Sequence, residues 1–154
     1  MMFKPHMTQA LKMARIAGQS GEVPVGAVLV NRRDDVVAMS GNRTRELNDP
    51  TAHAEILVIR ERCRQLGSER LPDHDLYVTL EPCAMCAAAI SAARISRLYF
   101  AALDAKSGGV EHGAKVFMHG QCHHVPEVYG GIREEESMAI LKDFFTQMRK
   151  DYLS

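Results

Sequence analysis

Leu76-Tyr77-Val78-Thr79-Leu80-Glu81-Pro82-Cys83-Ala84-Met85-Cys86 runs from a β-rich apolar segment through a proline into two closely spaced thiols. Residues 76–80 predict a short buried strand. Pro82 suits the first position of a helix, where its missing N–H costs nothing. Residues 83–93 then read as a helix whose alanines, Met85 and Ile90 leave it apolar nearly all round. Such a helix should be buried on more than one side, as a central core helix or as one that partly meets a second subunit. Residues 98–102 follow as another strand, so the passage is strand, helix, strand.

The flanking sequence extends this pattern. Upstream, Met7, Ala10, Leu11, Ala14 and Ala17 predict an amphipathic helix over 6–17, stopped by Gly18. Residues 23–30 and 36–40 predict a hairpin closed by the polar turn at 31–35. Asp49-Pro50-Thr51 reads as a helix entry with Thr51 as N-cap, and Ala52, Ile56, Ile59, Cys63 and Leu66 keep one apolar face as far as Gly67. Downstream, the glycine- and histidine-rich segment to about residue 131 predicts loop, with a short strand near 125–128. Residues 134–152 predict a final helix with Met138, Leu141, Phe144, Phe145 and Met148 as its apolar, core-facing stripe. Strands alternating with helices after an opening hairpin give an α/β fold, a mixed sheet with helices on both faces.

The chain has 154 residues, enough for one domain, taken as 1–154, with a core that needs no disulfides. Lys plus Arg and Asp plus Glu both number 19, so no global field draws in a polyanion, and a nucleic-acid partner would be held by local patches. The first residues lack the apolar core of a signal peptide, and no run approaches a membrane span. A cytoplasmic protein is expected, with its four cysteines reduced.

Four residues carry the chemistry. His53, Cys83 and Cys86 can take three corners of a tetrahedral zinc site and leave the fourth for water, which makes the metal a catalyst. Zinc lowers the pKa of a water it binds to roughly 7. Glu55, two residues from the histidine, is the candidate general acid/base. Cys83 and Cys86 are three apart and share a helical face, while His53 and Glu55 lie in a first turn. Two positive helix N-termini would meet there and favour thiolate over thiol.

His53-Ala54-Glu55 followed by Pro82-Cys83-Ala84-Met85-Cys86 resembles the signature of the zinc-dependent nucleobase deaminases. The longer stretches Glu22-Val23-Pro24-Val25-Gly26-Ala27-Val28, Gly41-Asn42, Thr79-Leu80-Glu81 through Cys86, and Arg94-Ile95 through Asp104-Ala105-Lys106 resemble the bacterial tRNA-specific adenosine deaminases of the cytidine/deoxycytidylate deaminase superfamily. That resemblance covers most of the chain. It implies a three-layer α/β/α cytidine-deaminase-like fold with a central mixed sheet of about five strands, one zinc ion per subunit and a homodimer. It also implies hydrolytic deamination of the wobble adenosine in an arginine tRNA anticodon loop. By the same resemblance Asn42, Ala54, Asp104 and Lys106 lie at the substrate. Ala88 stands where the family often has glycine, which asks for more room beside that helix.

Other readings compete with these. Cys83 and Cys86 could form a redox pair, or Cys122 or His123 could close a structural zinc site. Asn42 could be a turn residue, and Asp104 and Lys106 ordinary loop charges. His112, His119, His123 and His124 are expected to be satisfied locally, with His123 or His124 open to RNA contact. Phe144, Phe145, Arg149, Lys150 and Tyr152 look like an RNA-stacking set, but Phe144 and Phe145 suit the core stripe better, leaving only the basic end free for phosphate. An adenine and a cytosine present the same amidine unit, so the catalytic residues alone admit a deaminase of a free base or nucleotide such as guanine or cytidine. A zinc-stabilised RNA-binding module without activity is the alternative from another class.

Overall fold

Alternation along three strands decides which face of the sheet each side chain feeds. In the computed structural model, which describes residues 4–153, the elements are α1 (Lys4–Gln19), β1 (Gly26–Val30), β2 (Val36–Gly41), α2 (Ala54–Leu66), β3 (Asp75–Leu80), α3 (Ala84–Ala92), β4 (Arg97–Ala102), a 3₁₀ turn (Val116–Met118), β5 (Glu127–Tyr129) and α4 (Glu134–Leu153). Residues 1–3, read above for a leader, lie outside the described residues. Ala27 and Leu29 of β1, Leu76 and Val78 of β3, and Leu98 and Phe100 of β4 enter one core. Val28, Val30, Tyr77, Tyr99 and Ala101 enter the other. This is the period-two pattern of strands covered on both faces.

The five strands lie in the order β2-β1-β3-β4-β5. β1 is antiparallel to β2 and β3, whereas β3, β4 and β5 run parallel. α2 and α3 cover one face and α1 and α4 the other. The expected mixed sheet and three-layer α/β/α arrangement are therefore present. Gly26 is needed where α1 crosses β1, because a Cβ there would overlap the Ala10 carbonyl oxygen and press on the Ala14 nitrogen. No described helix is long and apolar enough to cross a membrane.

Several boundaries differ from the sequence reading. α1 continues through Gly18 to Gln19, and the chain turns at Gly21 with φ of 84°. β1 starts at Gly26 instead of residue 23, and β5 spans Glu127–Tyr129 instead of 125–128. Thr51 does not cap α2: Asp49 Oδ1 accepts both its amide and its hydroxyl, which closes a turn before the helix, and His53 is the N-cap. Pro82 likewise precedes the N-cap of α3, which is Cys83.

Two helices are less buried than expected. Cys86, Ala87, Ile90 and Ser91 of α3 are buried, but Ala84, Met85, Ala88 and Ala92 face outward. Ala88 meets no crowding there. In α4 the only buried residue is Ser137, whose hydroxyl donates to the Thr79 carbonyl at 2.5 Å. Phe144 is half-buried, and Phe145, Met138 and Met148 are exposed, so the stripe is not a core stripe.

Candidate active site

β3 ends at Leu80 and delivers Glu81, Pro82 and Cys83 to the start of α3, at the carboxyl end of a parallel strand where α/β folds place their sites. The start of α2 meets it from the same face of the sheet. Both N-cap side chains, His53 and Cys83, make no capping hydrogen bond; they turn toward each other. Asn42, at the end of β2, takes over part of the capping work for α2. Its Oδ1 accepts the Ala54 amide at 2.8 Å, and its amide nitrogen donates to the Val23 carbonyl at 3.2 Å.

His53 Nδ1 lies 3.7 Å from Cys83 Sγ and 3.4 Å from Cys86 Sγ, and the three ligand atoms lie within 4.8 Å of one another. Zinc bonds of about 2.3 Å to sulfur and 2.0–2.1 Å to nitrogen, held at a tetrahedral angle, separate nitrogen from sulfur by about 3.5 Å. The donor set and its spacing fit zinc. Among the described residues no fourth His, Cys, Asp or Glu joins this group. Cys122 instead contacts the Ser91 hydroxyl at 3.3 Å and donates to the His124 carbonyl, in a separate hollow with His119 and His123. Cys83 and Cys86 are not joined to each other, and both sulfurs face His53 Nδ1; the closed structural site is not formed, since Cys122 and His123 line the separate hollow.

Electrostatics follow from the packing. The hydrogen bond between the two sulfurs pulls the Cys83 thiol down to about 4, with His53 helping despite burial, and pushes Cys86 up. The same Cys83 sulfur raises the His53 imidazole. Glu55 is the second residue of α2 and is only 3% exposed. Burial raises its carboxyl above the ordinary range, and the nearby His53 opposes that rise. A carboxyl so placed holds a proton more readily than a surface glutamate, which suits a group that must take one up and return it.

His53, Glu55 and Cys83 open into a cleft of about 1200 Å³. Asn42, Asp104 and Lys106 line it, whereas Ala54 is fully buried beneath. One wall comes from α4: Met138, Leu141, Phe145 and Met148, expected in the core, face the cleft together with Arg149 and Tyr152. Of the loop histidines, His112 contacts Glu81, His119 the Ala114 carbonyl and His124 the Ile95 carbonyl, so these three are satisfied locally.

The sequence model of the cytidine and deoxycytidylate deaminase zinc-binding region matches residues 3–102. The chain belongs to that deaminase family. A tRNA-specific adenosine deaminase of Agrobacterium fabrum (strain C58) is 61% identical to this deaminase over 94% of its length and 95% of the relative's. One of Bacillus subtilis (strain 168) is 41% identical over 94% and 89%. A solved structure from a study of A-to-I editing by tRNA deaminases at the wobble position of transfer RNA superposes with a TM-score of 0.87 at 62% identity, covering 89% of this deaminase and 99% of that chain. A guanine deaminase from Nitrosomonas europaea, 22% identical, shares the fold with a TM-score of 0.77 over 90% of this chain and 82% of its own.

Proposed function

We propose that this deaminase hydrolyses adenosine to inosine at the wobble position of a tRNA. The observation that carries the reading is the cleft, with His53, Cys83 and Cys86 fitted to zinc and Glu55 beside them. The names of the closely similar relatives supply the substrate. The finer assignment, the anticodon loop of an arginine tRNA, rests on the resemblance of the quoted motifs alone. A base in an anticodon loop is already unpaired, so turning it into the cleft avoids most of the few kcal/mol that extrusion from a duplex costs. A chain with no net charge can therefore use such a substrate without a broad basic groove.

His53, Cys83 and Cys86 would hold one zinc ion per subunit, which when bound supplies a lowered pKa to water and hence a nucleophile at neutral pH. Glu55 takes a proton from the attacking water and delivers it to the ring nitrogen beside the amino-bearing carbon. It then assists the departing amino group, so adenosine and water become inosine and ammonia. Asn42 presents its remaining amide hydrogen and lone pair to the base and sugar. Asp104 and Lys106 contact the neighbouring nucleotides, and Ala54 supports the base from below. The outward row of α3, Ala84, Met85, Ala88 and Ala92, is our proposed homodimer surface, and the protein acts in the cytoplasm.

Glu55→Ala should retain one zinc per chain while inosine formation falls by at least about a hundredfold, the lower range for lost acid/base catalysis. Zinc analysis and inosine release from a tRNA with a wobble adenosine measure this. Normal turnover by the variant would remove Glu55 from the mechanism. Free guanine, cytidine and adenosine in parallel reactions decide substrate class, and ammonia released from a free base but not from tRNA would defeat the tRNA reading.

A further inference from the structure

Glu81 is used by none of the chemistry above, yet its side chain is fully buried and collects five donors. Oε1 accepts the Asp104 amide at 3.0 Å and contacts His112 Nδ1 at 2.8 Å. Oε2 accepts the amides of Val110, Glu111 and His112 at 3.1, 2.9 and 3.1 Å. Both ends of the 104–112 loop are thus closed on one carboxylate, two residues before Cys83.

A second tie joins the same parts. The Gly109 amide donates to the Pro82 carbonyl at 2.8 Å, and a Cβ on Gly109 would lie 2.5 Å from the Ala84 nitrogen and 2.8 Å from the Cys83 carbonyl carbon. Loop and helix start are in direct backbone contact there. Between the ties, Asp104 Oδ1 accepts the amides of Lys106 and Ser107 at 3.1 and 3.0 Å, which shapes the tip. Asp104, Lys106 and Ser107 line the cleft that also holds His53, Glu55 and Cys83.

We infer that Glu81 is a positioning residue for the RNA: it fixes the 104–107 wall of the cleft against the start of α3, and so sets where the neighbouring nucleotides rest relative to the reacting base. An isolated buried carboxylate is costly unless hydrogen-bonded, and here every donor that compensates it comes from the loop that edges the substrate cleft. The inference rests on the proposed tRNA substrate, which gives the wall something to grip.

The test uses the zinc-loaded full chain and an anticodon stem-loop carrying a wobble adenosine. Glu81→Gln keeps one carbonyl oxygen for the cluster at 110–112 and loses the Asp104 amide. It should raise KM about tenfold with kcat nearly unchanged, the signature of lost binding common to ground and transition states. Zinc content should stay at one per chain, and amide exchange should quicken within 104–112 alone. Gly109→Ala parts the loop from α3 while leaving the Glu81 side chain itself unaltered, and should give the same KM rise, which keeps the test open if Glu81→Gln does not fold. Unchanged KM in either folded variant, a loss confined to kcat, or loss of zinc would overturn the assignment. Wild-type protein that forms no inosine would sink the tRNA reading instead, and unaltered exchange at 104–112 in Glu81→Gln would still count separately against the anchoring.

Discussion

Buried carboxylates do different work at different positions in this chain, and the contrast is visible residue by residue. Glu55 is raised by burial, while Glu22, only 3% exposed, is lowered. Burial pushes Glu22 up, but the amides of Glu46 and Arg45 and the Thr44 hydroxyl, at 2.9, 3.1 and 3.3 Å, outweigh it. Because its folded pKa lies below the ordinary 4.5, the stabilisation it gives is complete above that value and disappears as pH falls through the folded pKa. Urea denaturation should therefore find Glu22→Gln less stable than wild type at pH 7, with the gap closing only as the pH is taken below 4.5; a gap that persists undiminished in acid would refute the assignment. The sequence made His53, Glu55, Cys83 and Cys86 legible because zinc chemistry restricts ligand type and spacing. It left Glu22 and Glu81 without roles, since an acid that accepts amides from a distant loop carries no local signature.

At the scale of elements, two helix starts replace their caps with metal-ligand side chains. The His53 and Cys83 side chains, which in an ordinary helix entry would accept amides of the first turn, point at one another instead. Asp49-Pro50-Thr51 misled the boundary because the same residue types that cap helices also close turns, and here the turn came first. Chelating the metal from loaded protein should leave the starts of α2 and α3 the least protected parts of the helical layer. Hydrogen exchange would then rise at residues 54–57 and 84–87 before it rises in β1 or β3, and uniform exchange across the sheet would contradict this coupling. The strands were readable because a strand covered on both faces is a short continuous apolar run. The stripe of α4 was not, because periodicity finds an apolar face without saying whether core or cleft lies opposite it.

At the scale of the whole molecule, α3 turns Ala84, Met85, Ala88 and Ala92 outward, and the chain carries equal numbers of Lys plus Arg and Asp plus Glu. A charge placed in the centre of that row, Ala88→Glu, should halve the mass measured by light scattering from a dimer to a single chain of 17.1 kDa. A wild-type mass of one chain would discard the dimer. Chain order adds a further point. The proposed zinc ligands, Glu55 and Asn42 lie within residues 42–86, while much of the cleft wall comes from residues 103–153. On the proposed assignment, chemistry and clientele are written largely in successive stretches of the polypeptide, so grafting a different tail segment onto the same front part should give a new customer for an unaltered reaction.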